Sequence, residues 1–201
     1  MHKRFTLHKS TTLIDVLWHP DTFNQTQSLL RQITLIVLGS VLMAASAYVE
    51  IPFYPVPITG QTFAVILISL CFGSRLAFLS TLTYLAEGAL GLPVFAGGAA
   101  GYIHLFSPSG GYLFGFLAAA LVSGLFAEQG YDKHPIKLAL AITLGHAIIF
   151  AFGLVGLGLY FGFDQPLLTW GLYPFIPGLC VKTLAILAVL SPAWAWVKRF
   201  K

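Results

Sequence analysis

Two ionisable side chains stand inside otherwise apolar runs of this chain. Lys182 lies eight residues after Pro174 and sixteen before Lys198. At about 1.5 Å per helical residue, that puts it roughly 12 Å from one end of a helix and 24 Å from the other. A charge at such depth is costly unless it is paired, solvated or able to reach the interface, so Lys182 is either a snorkelling lysine or a cavity cation that meets an anionic ligand. Glu87 falls at a similar depth on the run that ends near Leu92-Pro93. Two roles stay open for it: a structural ion pair with Lys182, or a separate acceptor of N–H donors in the same cavity.

Neutral groups converge on the same level. Thr59 and Gln61 follow a proline-stiffened lead-in, Pro52-Phe53-Tyr54-Pro55-Val56-Pro57, and could offer hydrogen bonds there. The backbone amides of Gly97, Gly98 and Gly101 could do the same, since glycine lets a ligand come close. Phe95, Tyr84, Tyr102 and Trp170 could wall the cavity, although each type is also common as packing or at the membrane interface. His146, in the middle of an apolar run, is better placed to bond a neighbouring carbonyl than a metal, because no Cys or carboxylate stands at ligand spacing.

Enzyme templates find no match. Ser107-Pro108-Ser109-Gly110-Gly111 offers a serine, but nothing in the sequence links His146 or His104 to Ser109 as a base. There is no H-E-x-x-H, no acidic cluster for paired metals and no Walker A loop, so no metal or resident cofactor is expected. Uphill movement of a solute would need energy from another protein.

The elements that carry these residues are membrane helices. Hydrophobic residues make up 57% of the 201 and charged residues 9%, too little polar surface to coat a soluble globule. A crossing needs about 20 apolar residues, so the chain is expected to be an all-α, multi-pass integral membrane protein with a bundle of roughly six transmembrane helices in contact with membrane lipid. The expected crossings are about 33–49, 57–73, 76–92, 110–127, 136–161 and 174–197. Residues 31–201 form this domain, after a cytosolic tail of residues 1–30 in which Leu13, Ile14, Val16, Leu17 and Trp18 could make a short interfacial helix. Residues 1–30 carry polar groups throughout and do not read as a secretory signal.

Threading six helices puts Lys3, Arg4, Lys9, Arg31, Arg75, Lys133, Lys137, Lys198, Arg199 and Lys201 on one side, leaving Lys182 as the exception. By the positive-inside rule that side is the cytosol, with both termini there and the plasma membrane as the location. The bases form no stripe with interleaved aromatics, so nucleic acid is not an expected partner. Cys71 and Cys180 fall near opposite ends of their helices, too far apart for a disulfide.

Small residues mark two close-packing faces. In the fourth crossing Gly111, Gly115, Ala119, Ser123 and Ala127 recur every four residues, a continuous seam for a neighbouring helix. In the first, Ser40 and Ala44 are four apart beside Gly39, Ala45, Ser46 and Ala47. That face suits either internal packing or a docking protein.

Four pieces in order resemble the BioY biotin transporters, the substrate-binding S components of energy-coupling factor transporters. They are Pro55-Val56-Pro57-Ile58-Thr59-Gly60-Gln61-Thr62, Gly91-Leu92-Pro93-Val94-Phe95-Ala96-Gly97-Gly98, Ser107-Pro108-Ser109-Gly110-Gly111-Tyr112, and Pro174-Phe175-Ile176-Pro177-Gly178 followed by Lys182. The resemblance implies biotin as transported ligand and a vitamin pocket towards the outer face, to which Tyr112 is added. It also implies an energising partner of one membrane scaffold subunit and two ATPases, docked against the Ser40 and Ala44 face. Lys182 takes the family lysine's role towards the biotin carboxylate. Family members commonly read Pro-Gly-Asp before that lysine, whereas this chain has Leu179 in the acidic place, and Glu87 is expected to take over towards the ureido ring. An S component for another vitamin and an intramembrane enzyme are the alternative readings.

Overall fold

In the computed structural model, residues 12–18 and 24–199 are described; Lys3, Arg4, Lys9 and Lys201 lie outside them. Eight α-helices and one two-residue strand pair follow in order: α1 Leu13–Leu17, α2 Gln25–Ala47, β1 Glu50–Ile51, β2 Ile58–Thr59, α3 Gln61–Phe72, α4 Ser74–Ala89, α5 Gly110–Glu128, α6 Pro135–Phe161, α7 Leu167–Gly171 and α8 Ile176–Arg199. Short 3-10 turns at Ala96–Gly98 and Tyr102–Phe106 shape the loop between α4 and α5. Among the described residues four stretches are long and apolar enough to cross a membrane: Gln25–Ala47, Gly110–Glu128, Pro135–Phe161 and Leu167–Arg199, the last running through α7 into α8.

The first helix starts earlier than its apolar run does. Asn24 Oδ1 accepts from the Gln27 amide at 2.9 Å and the Gln27 side chain accepts from the Asn24 amide at 3.1 Å, a reciprocal cap that nucleates α2 at Gln25. Residues 12–18 and 24–30 are therefore not simply a tail. Leu13 and Val16 of α1 enter the core, and Arg31 Nη2 of α2 donates to Asp15 Oδ1 of α1 at 2.8 Å.

The second helix is shorter than the sequence suggests. Ile58 and Thr59 are held extended by the antiparallel pairs Glu50 with Thr59 and Ile51 with Ile58, so α3 begins only at Gln61 and runs for 12 residues. It turns into α4 at Gly73, whose φ of +82° suits glycine and little else. Glu128, at the far end of α5, closes this turn by accepting from the Ser74 amide at 2.8 Å and the Ser74 hydroxyl at 2.7 Å.

The five-residue seam of α5 lies against α6 over its first half. A Cβ built on Gly111 would sit 2.8 Å from Gly156 Cα, and one on Gly115 would sit 3.0 Å from Ile149 Cα. Backbones this close gain dispersion contact along their length, which side chains would prevent. The small residues of α2 also point inward. Ser40 is fully buried and its hydroxyl donates to Glu87 Oε2 of α4, Gly39 lies over Ser80, and Ala44 is half-buried against the core. The expected docking face at Ser40 and Ala44 is thus the packing face for α4, because only small residues let α2 approach that closely. The outward face of α2 carries larger side chains, among them Leu30, Val37, Leu38 and Val41.

Candidate functional site

At the end of the bundle where α3 begins, the lead-in loop, α3, the α4–α5 loop, α5, α6 and α8 enclose a narrow cavity, part of it open to solvent. Each wall has a local origin. Thr59, Gln61 and Thr62 are delivered by the switch from β2 to α3. Tyr112 and Phe116, four apart on α5, share one helical face. Phe150 comes from α6, and Phe175 from the turn that precedes α8. Phe95 is fully buried because Gly88 leaves room for its ring, which a Cβ at Gly88 would overlap.

The polar groups of α3 and α8 are wired together. Lys182 Nζ donates to the Thr59 carbonyl at 2.6 Å and to Thr62 Oγ1 at 2.8 Å. An ammonium has three hydrogens, so one remains for a ligand. Thr59 Oγ1 donates to Gln61 Oε1 at 2.9 Å, Gln61 Nε2 donates to the Tyr84 hydroxyl, and that hydroxyl donates to the Val94 carbonyl at 3.1 Å. Each donor is thereby held before any ligand arrives. The N-terminus of α3 adds its positive end to the Lys182 charge, and together they favour an anion.

Aromatic rings close the remaining sides. Tyr84 meets Phe95 edge-on at 5.6 Å, and Phe95 stacks on His104 at 5.1 Å with the planes 19° apart. Tyr112 stacks on Phe175 at 6.2 Å, meets Phe150 edge-on at 5.8 Å, and donates its hydroxyl to the Gly171 carbonyl at 2.7 Å. A small molecule with a flat apolar body and an anionic end matches this combination.

Of the residues expected in the site, Lys182, Thr59, Gln61, Phe95 and Tyr112 line the cavity, and Tyr84 stands behind Gln61 as its support. Glu87 does not line it. Its carboxylate faces Ser40 on α2, while Lys182 bonds Thr59 and Thr62, so Glu87 neither pairs with Lys182 nor lines the cavity. Gly97 and Gly98 also lie off the wall: Gly97 is exposed near Glu50, and the Gly98 amide is used by the Phe95 carbonyl. Tyr102 is 65% exposed, and Trp170 packs on Phe161.

His146 Nδ1 lies 3.0 Å from the Ile142 carbonyl, the contact its position suggests. Among the described residues no group of three His, Cys, Asp or Glu could hold a metal, and both cysteines are free. Leu179 faces a second, open groove between α6 and α8, with His146 and Cys180. That groove is larger but carries no charged group to orient a ligand.

Several wall residues escaped the sequence reading. His104 and Ser109, dismissed there as a catalytic pair, share this cavity without a hydrogen bond between them. Thr62 sits one residue past Gln61, and Phe116 follows Tyr112 at helical spacing, so both were within reach of a face argument. Phe150 and Phe175 were not, because their position depends on how α6 and α8 pack.

A sequence model of the BioY family matches residues 18–199. A probable biotin transporter BioY of Pyrococcus horikoshii is 36% identical over 146 residues, covering 73% of this chain and 85% of that one. The biotin transporter BioY of Thermotoga maritima is 37% identical over 147 residues, with 73% and 86% covered. A crystal structure of the S-component for biotin from an ECF-type ABC transporter superposes with a TM-score of 0.73 at 24% identity, over 85% of this chain and 93% of that chain.

Proposed function

The chain belongs to the BioY family, and from that premise we propose that it is a biotin-uptake protein: the membrane-embedded, biotin-binding S component of an energy-coupling factor transporter. The observation that carries this reading is the Lys182 ammonium, fixed by Thr59 and Thr62 at an aromatic-walled cavity with one N–H still to give. Biotin combines a carboxylate tail with a compact bicyclic ring. The tail suits Lys182, and the ring suits Phe95, Tyr112, Phe116, Phe150 and Phe175. Thr59 and Gln61 supply neutral hydrogen bonds, with Tyr84 holding Gln61.

In this reading α2 to α6 and α8 pass the cell membrane six times. The two shortest, α3 and α4, are completed by the extended residues before α3 and the loop after α4. Arg31, Arg75, Lys133, Lys137, Lys198 and Arg199 lie at the end away from the cavity, which supports a cytosolic assignment for that end and for both termini. The chain has no Walker A loop, so ATP is hydrolysed by two partner ATPases joined through a scaffold subunit. No resident cofactor is involved, and the protein is not an enzyme.

Titration of the detergent-purified protein with biotin, desthiobiotin and thiamine tests the assignment. Tight one-to-one binding of biotin without binding of thiamine is expected. Thiamine binding without biotin would make it the S component of another vitamin.

A further inference from the structure

The cavity wall holds two polar patches that differ in how much of their hydrogen-bonding capacity is already used. Lys182, Thr59, Thr62 and Gln61 are joined to one another, to Tyr84 and to backbone. His104 and Ser109, from the loop before α5, are not. The His104 ring is set by its stack on Phe95, and neither of its nitrogens has a hydrogen bond among the described residues. Ser109 stands at the N-cap position of α5, yet its hydroxyl makes no capping bond. Burial holds the His104 imidazole below the ordinary histidine range, so at neutral pH it carries one donor and one acceptor nitrogen.

The wall also lacks something. Among the described residues no carboxylate lines the cavity: Leu179 faces the other groove, and Glu87 faces α2. A ligand ring that needs both donors and acceptors must therefore be met by neutral groups. The N–H groups of Lys182 and Gln61 are already committed in part to Thr59, Thr62 and Tyr84, which leaves the His104 ring and the Ser109 hydroxyl as the donors without a prior engagement.

We propose that His104, with Ser109 on the same wall, determines specificity for the cyclic-urea end of the ligand, its ring N–H donating to the urea carbonyl while Lys182 holds the carboxylate. This rests on the biotin reading above and adds a second pole to it. The Phe95 stack fixes the plane in which that N–H points, and the serine hydroxyl can serve a urea N–H as acceptor.

Two ligands that differ only at the urea carbonyl separate the poles: biotin, and 2-iminobiotin, in which that oxygen is replaced by nitrogen. Wild type, His104→Phe, His104→Gln and Lys182→Ala are each titrated with both. His104→Phe keeps a ring on Phe95 and should weaken biotin about tenfold, the worth of one good hydrogen bond in a desolvated site, while changing 2-iminobiotin little. His104→Gln restores an N–H and should recover most of the biotin affinity. Lys182→Ala should weaken both ligands alike, since both carry the carboxylate. If His104→Phe misassembles, His104→Leu serves the same comparison. Equal losses for the two ligands in His104→Phe, or no loss for either, would overturn the inference alone. Wild type that binds neither ligand would overturn the biotin reading, and this inference with it.

Discussion

At the cavity end of the bundle, Lys182, Thr59, Thr62, Gln61 and Tyr84 bury polar atoms and give each a partner. At the opposite end, Asp132 is 1% exposed beside Lys133 and the buried Trp194 indole. Lys133 lies over the Trp194 ring at 5.1 Å. The first arrangement holds donors in place for an incoming anion. The second buries an acid whose charged form loses more to desolvation than Lys133 and Trp194 return, a destabilising feature that protonation relieves.

The largest effect expected is at the wired end. Lys182→Ala should weaken biotin on the order of 100-fold, because a charge-assisted hydrogen bond and the ion attraction vanish together. Isothermal titration reads this, and an equal loss for the biotin amide would break the contrast by showing that Lys182 matters only for packing. Gln61→Leu should follow at about tenfold, since it removes a side-chain amide from the cavity wall and with it one hydrogen bond each of the Tyr84 hydroxyl and Thr59 Oγ1. Tyr84→Phe touches no ligand and should act only by loosening Gln61, giving roughly threefold to tenfold weaker binding with little change in melting temperature. A loss as large as that of Gln61→Leu would mean that Tyr84 is itself in contact with biotin.

The smallest effect on binding is expected at the other end, where stability should respond instead. Burial pushes the Asp132 carboxyl up to about 7, and its neighbour Lys133 offsets only part of this. The folded value lies above the unfolded one of about 4, so the contribution of this group to stability is complete below about pH 4 and is lost as pH rises through 7. Between about pH 4 and pH 7 wild type should lose on the order of 1.4 kcal/mol per pH unit relative to Asp132→Asn, with no further loss above 7 and with biotin affinity unchanged in the variant. Parallel stability profiles for the two proteins would show that the Asp132 charge is satisfied after all.

The same contrast explains what the sequence could and could not disclose. Lys182 was conspicuous because a lysine in an apolar run demands a reason, and Thr59 with Gln61 followed from the proline-stiffened lead-in. The helix order and the α5 seam were legible through periodicity and small-residue spacing. Glu87 misled because depth along a helix says nothing of rotation about it; on α4 its side chain turns to Ser40 and away from the cavity. Ser40 and Ala44 misled in the same way, since a small-residue stripe serves a helix inside the bundle as well as a protein outside it. His104 lies in a loop whose path is set by the Phe95 plug against Gly88 and by the Gly101 amide donating to the Gly88 carbonyl at 2.7 Å, and no local pattern announces either.

The most direct measurement is a paired titration of wild type and Lys182→Ala with biotin and with its carboxamide. Wild type should prefer biotin strongly, and the variant should lose this preference, binding both weakly and about equally. A variant that still prefers biotin to the amide would place the carboxylate elsewhere and contradict the assignment of Lys182 as the residue that receives it.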